Sequence, residues 1–130
     1  MAFIAGRAGF SRAQYASDLV LVNGLGFLSG IGPVDLDNEK APLPEGIEAQ
    51  TRRIFQNLDK ILAAVGLDRR HVVTVRVHLV EFPRLYERMN AVYAGNFPEG
   101  ALPARTCVGV SHLTRGAQIE MDFVVSEKRP

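Results

Sequence analysis

The 130-residue chain is 47% hydrophobic and 22% charged, a globular mix that excludes a disordered or fibrous polypeptide. Its 15 Lys and Arg against 14 Asp and Glu leave a formal charge of +1, too little for a one-signed field that would draw it to nucleic acid or anionic lipid. The one cysteine, Cys107, excludes an internal disulfide framework and a multi-cysteine zinc site.

This length predicts one domain over residues 1–130. No stretch reads as a signal peptide or a membrane span, so a soluble cytoplasmic protein with no membrane partner is expected.

The first organised segment, Asp18–Val34, predicts a β-hairpin. Leu19–Val22 is rich in β formers, Asn23-Gly24 is a two-residue turn signal, and Leu25–Ile31 runs back. Gly24, Gly26, Gly30 and Gly32 lack the spacing of a dinucleotide fingerprint. They predict a bulged strand approached closely by other groups. Residues 35–45 read as a surface loop.

Ile47, Ile54, Leu58, Ile61, Leu62 and Val65 then recur at helical spacing until Gly66. His71–Val80 alternates and predicts a strand with Val73, Val75, Val77 and Leu79 facing inward. A second helix begins near Pro83 and is expected to bury Leu85, Met89, Val92 and Tyr93. Strands at Ala104–Ser111 and Ala117–Val125 close the chain.

The order β-β-α-β-α-β-β predicts an α+β sandwich, two helices covering one face of a sheet of about five strands. Ile119, Met121, Phe123 and Val125 are expected on the covered face. The opposite face is expected to carry Thr74, Arg76, His78, Arg105, Cys107, Glu120 and Asp122, with Val72, Val80 and Val124 among them. That mixture is too apolar for a solvated surface and predicts packing against another subunit.

Read as an antiparallel hairpin, the last two strands place Arg105 beside Asp122 and on the same face as Glu120, the backbones roughly 5–10 Å apart. Arg suits a carboxylate, which its planar fork grips through two hydrogen bonds. Glu can orient or deprotonate a water and pass a proton on. A cross-strand pair of this kind is also common decoration on a half-buried sheet, and spacing alone leaves both readings open. His71, His78 and His112 have no paired ligand spacing on one helix, so no metal site is expected. Cys107 and His112 sit at opposite ends of a strand, which favours a small packed thiol over a nucleophile.

Pro103-Ala104-Arg105-Thr106-Cys107-Val108, followed by Leu113-x-Arg115-Gly116-Ala117-x-Ile119-Glu120-Met121, resembles the signature of the RidA (YjgF/YER057c/UK114) family of reactive-intermediate deaminases. Glu45–Arg52 begins the first helix as in that family. Asn90-Ala91-Val92-Tyr93 and Phe97-Pro98-Glu99-Gly100 resemble the run leading into its arginine strand. The resemblance spans about residues 15–126.

It implies a chorismate-mutase-like α+β fold, a homotrimer with sites in clefts between subunits, and no cofactor. It also implies hydrolysis of small 2-imino or 2-enamino acids, such as 2-aminoacrylate and 2-iminobutyrate, to 2-oxo acids and ammonia. By the same resemblance Arg105 holds the substrate carboxylate, and Glu120 positions water and relays protons. The backbone at Cys107 and Gly30 supports binding, and Asn90 shapes the cleft.

The departures lie near the start. Where the family often has Gly-Pro-Tyr-Ser-Gln, one alignment places Tyr15-Ala16-Ser17-Asp18, with the aromatic displaced and Gly-Pro missing. Another places Ala8-Gly9-Phe10-Ser11 there. The usual Ser-Gly-Gln is Ser29-Gly30-Ile31. Tyr15 is thus the candidate aromatic of the cleft wall, and the substrate stays open. Two further readings are a non-catalytic binder of small carboxylates and an endoribonuclease or translation inhibitor, a label some relatives carry.

Overall fold

The computed structural model of the protein describes residues 1–4 and 15–128. Strand β2 (Leu19–Val22) turns at Asn23-Gly24 into β3 (Leu25–Leu28). Both turn residues have positive φ, 51° and 77°, the geometry that matches the right-handed twist of the flanking strands. A short strand not expected from the sequence, β1 (Ala2–Ile4), pairs antiparallel with β2.

Helix α1 (Ile47–Ala63) buries Ile47, Ile54, Phe55, Leu58, Ile61 and Leu62 along one stripe. Each large side chain so buried contributes roughly 1.5–3 kcal/mol. Gly66, at φ 74°, ends the helical run, and the Leu67 N–H donates back to the Leu62 carbonyl at 2.9 Å. After β4 (Val72–Leu79), α2 (Phe82–Tyr93) packs beside α1 and buries Leu85, Met89 and Tyr93. Val92, expected in the core, is half-buried. Arg88 of α2 donates two hydrogen bonds to Glu48 of α1, at 2.9 and 3.0 Å. Strands β5 (Ala104–Gly109) and β6 (Ile119–Ser126) complete the chain.

The two helices lie on one face of a six-stranded mixed sheet of order β1-β2-β3-β6-β4-β5. The expected hairpin between the last two strands does not form. β4 lies between them, antiparallel to β6 and parallel to β5. The reason is the β4–α2–β5 unit: a helical crossover returns the chain alongside β4 in the same direction, leaving β5 at the sheet edge. Segment 110–118 then carries the chain past β4 to its far side.

The inserted strand changes which residues share a face. Val75 pairs with both Arg105 and Phe123, and His78 with both Val108 and Glu120. Val75 and Phe123 are buried under the helices, so Arg105 and Cys107 belong to the helix side, and Thr106 and Val108 to the open side. This reverses the expected parity of β5. The register also shifts between Val72 and Thr74, which buries Val72 and turns Val73 outward, again the opposite of expectation.

Candidate active site

Arg105 leans on α2. One face of that helix carries Tyr86, Asn90 and Tyr93 at the i, i+4, i+7 spacing that stacks side chains above one another. The Arg105 Nη1 donates to Asn90 Oδ1 at 2.7 Å, and Nη2 donates to the Tyr86 hydroxyl at 3.2 Å. Its Cζ stands 4.7 Å from the Tyr93 ring centroid, within cation–π range.

The nature of these partners matters. Arg69, Arg70, Arg76, Arg84 and Arg88 each meet a carboxylate. Arg105 is half-buried and, among the described residues, is held by neutral groups alone. Its charge is oriented and left uncompensated, and at least three of its five N–H donors remain for an anion. Cys107 follows on the same row, half-buried. Burial pushes its thiol pKa up and the nearby Arg105 charge pulls the other way.

Glu120 lies on the open sheet face, one strand beyond β4. The expected geometry is therefore corrected: within one chain Arg105 and Glu120 sit on opposite faces with a strand between them. Asp122 pairs with Arg76, its cross-strand partner, at 2.9 Å, not with Arg105.

The Glu120 carboxyl lies against Gly30, where a methyl group would come within 2.8 Å of it. Glu120 makes no hydrogen bond or ion pair among the described residues, so its oxygens are available to a ligand or water. It lines a cavity of about 390 Å³ whose walls include Pro33, Val34, Leu113 and Arg115.

Polar side chains, two of them buried, hold those walls. Asn57 Nδ2 donates to the carbonyls of Gly32 (3.0 Å) and Val34 (2.9 Å). Gln50 Nε2 donates to the Pro44 carbonyl, and its Oε1 accepts from the Gln118 N–H at 2.8 Å. Arg115, in a left-handed conformation at φ 62°, donates to the carbonyls of Glu39 and Ala41.

The candidate residues thus divide into two half-sites. Arg105, Cys107 and Asn90 stand together at the β5 edge, and Glu120 and Gly30 together on the open face. Tyr15, 88% exposed ahead of β2, belongs to neither within one chain. The alternative aromatic segment, 8–11, lies outside the described residues.

Sequence reasoning missed Tyr86, Gln50 and Asn57. The signal for the last two was present: residues 47, 50, 54, 57 and 61 form one inward row, and two of its members are polar. For Tyr86 the signal was its four-residue spacing from Asn90. Among the described residues no three His, Cys, Asp or Glu cluster as metal ligands, and no helix is long and apolar enough to cross a membrane.

Residues 6–127 match the profile of the family described as Endoribonuclease L-PSP. The chain is 34% identical over 109 residues to a RutC family protein of Aquifex aeolicus, covering 83% of this chain and 85% of that one. It is 31% identical over 110 residues to Reactive Intermediate Deaminase A, chloroplastic, of Arabidopsis thaliana, covering 85% of this chain and 57% of that protein. The crystal structure of the Escherichia coli YjgF gene product superposes with a TM-score of 0.86 at 25% identity, over 98% of this chain and 100% of that one. The fold is accordingly the chorismate-mutase-like one expected, and the chain belongs to the YjgF/RidA family.

Proposed function

We propose that this protein hydrolyses small 2-imino and 2-enamino acids to 2-oxo acids and ammonia, at a site completed between neighbouring subunits of a homotrimer. Arg105 of one subunit grips the substrate carboxylate, and Glu120 of its neighbour handles the water. The observation that carries the reading is the half-buried Arg105 fork, held by neutral acceptors and matched by no carboxylate of its own.

The division into half-sites supports the assembly. So does the open sheet face, where Phe3, Leu25, Phe27 and Val108 are exposed, and so does the outer edge of β5, unpaired among the described residues. A heterologous contact repeated round a closed ring would set the open face of one chain against a different surface of the next, here the β5 edge.

The chemistry then balances with water alone. Glu120 accepts a proton as water oxygen bonds to the carbon of the protonated imine, giving a neutral carbinolamine; an enamine first takes a proton at its terminal carbon to become that imine. Glu120 returns its proton to nitrogen and takes up the hydroxyl proton as the C–N bond breaks, leaving a C=O. The departing ammonia carries this last proton away as ammonium and resets the carboxylate. Backbone at Cys107 and Gly30 lines the bound acid. Asn90 keeps the fork aimed, and Tyr15 stands at the wall. No step changes oxidation state, so the proposal invokes no cofactor.

The test couples a pyridoxal enzyme that releases 2-aminoacrylate or 2-iminobutyrate to this protein. Faster oxo-acid release is expected, with Arg105→Ala and Glu120→Gln each abolishing the acceleration. Unchanged release, or a fully active Arg105→Ala, would count against the reading. A non-catalytic carboxylate binder is the second reading, favoured by the separation of Arg105 from Glu120 in a lone chain. It predicts binding of 2-oxobutyrate without turnover of any imine. Nucleic acid is a poor fit, because a formal charge of +1 offers little electrostatic footing.

A further inference from the structure

Gly109 lies two residues beyond Cys107 on the helix-side row of β5. A Cβ there would come within 3.2 Å of Phe82 Cβ, so the glycine lets the first turn of α2 approach the strand closely. Phe82 in turn stacks on Tyr86, with ring centroids 4.6 Å apart and planes 19° from parallel. The stack fixes the Tyr86 ring and aims its hydroxyl at Arg105 Nη2, 3.2 Å away.

Asn90 alone leaves the guanidinium free to pivot about the Nη1···Oδ1 bond. A second contact at Nη2 fixes the plane, and the Tyr93 ring supports one face. A fork that must meet both oxygens of a carboxylate at once depends on that plane.

We propose that Tyr86 is a positioning residue for Arg105, its hydroxyl setting the plane in which the guanidinium meets the carboxylate of a small 2-oxo or 2-imino acid. This rests on the reading of Arg105 as the carboxylate grip. Tyr86 accepts a hydrogen bond without carrying a negative charge, so it orients the cation and leaves its charge whole. A carboxylate in the same place would have orientated Arg105 and neutralised it.

The experiment measures binding of 2-oxobutyrate by calorimetry, and KM and kcat in the coupled assay, for the unmodified protein, Tyr86→Phe, Phe82→Leu and Arg105→Ala. Tyr86→Phe, which removes one oxygen, is expected to weaken binding and raise KM about fivefold to tenfold with kcat unchanged. Phe82→Leu, which keeps the hydroxyl and loosens its aim, is expected to fall between Tyr86→Phe and the unmodified protein.

A ligand-independent readout is the rotation rate of the Arg105 guanidinium about its Nε–Cζ bond by NMR, expected to rise in Tyr86→Phe. Loss of binding in Arg105→Ala with unchanged binding and rotation in Tyr86→Phe overturns the role of Tyr86 alone. Unchanged binding in Arg105→Ala overturns the carboxylate grip and this role with it.

Discussion

The Glu120 carboxyl occupies the space that a side chain at residue 30 would fill: a methyl on Gly30 would lie 2.8 Å from its Cδ. No real Cβ contact is that short, and the carboxyl end of Glu120 is the movable partner. Gly30→Ala is therefore expected to swing Glu120 aside and leave the sheet intact. With Glu120 handling water as proposed, its displacement should cost on the order of 100-fold in turnover. The coupled assay, read beside a thermal melt, checks it: a large fall in kcat with little change in melting temperature is expected.

The two half-sites make a sharper prediction about assembly. Arg105→Ala and Glu120→Gln subunits, each inactive alone, should restore activity when co-refolded. Random mixing places an intact Arg105 opposite an intact Glu120 in about one quarter of the sites of a cyclic trimer. Light scattering should give a trimer mass for each preparation. Mixtures no more active than their parents would count against a site shared between subunits.

Cys107 should be a sluggish nucleophile. Burial raises its thiol pKa, and only the Arg105 charge opposes that rise. The rate of alkylation by iodoacetamide should climb with pH and level off above the ordinary thiol range. Removing the cation in Arg105→Ala should move that plateau to still higher pH.

Between the two helices, the Arg88 guanidinium holds the Glu48 carboxyl at about 2, down from 4.5. A lowered carboxylate pKa means that the folded state binds fewer protons than the unfolded one in that interval. The pair's contribution is thus fully present above about 4.5 and fades as pH falls towards 2. Arg88→Ala should return the Glu48 titration, followed by NMR, towards 4.5. Any stability difference from the unmodified protein should be greatest near neutral pH and shrink in acid. Both side chains are exposed, so salt should diminish it as well.

Local signals carried much of the fold into the sequence. Asn23-Gly24 accepts two successive positive φ values at low cost, and the hairpin was legible from that pair. The inward stripe of α1 repeats at the helical period, so its burial was legible too. Pairing partners were not. The alternation of Arg105, Cys107 and Gly109 is compatible with either face, and only the neighbouring strand settles which one. Sequential strands usually neighbour one another, and that preference favoured a hairpin; the α2 crossover overrode it.

The same limit separated the residues of the candidate site. Arg105 and Glu120 were identifiable by type and surroundings in the sequence. Their division between a sheet edge and an open face depends on β4, whose insertion between them is a long-range event. Val73 turned outward for a similar reason, since one shift of register reverses a side chain and no local pattern announces it.

The crossover that hid this arrangement has a further consequence. Phe82, Tyr86, Asn90, Tyr93, Arg105 and Gly109 all belong to one uninterrupted stretch, α2 and the strand it delivers. The proposed anion grip therefore travels with its own scaffold, as a self-contained cassette. Glu120 and its cavity are assembled from distant parts of the chain. On the proposed function, remodelling those parts would retune which side chain of a substrate is accommodated while the grip on its acid end stays untouched.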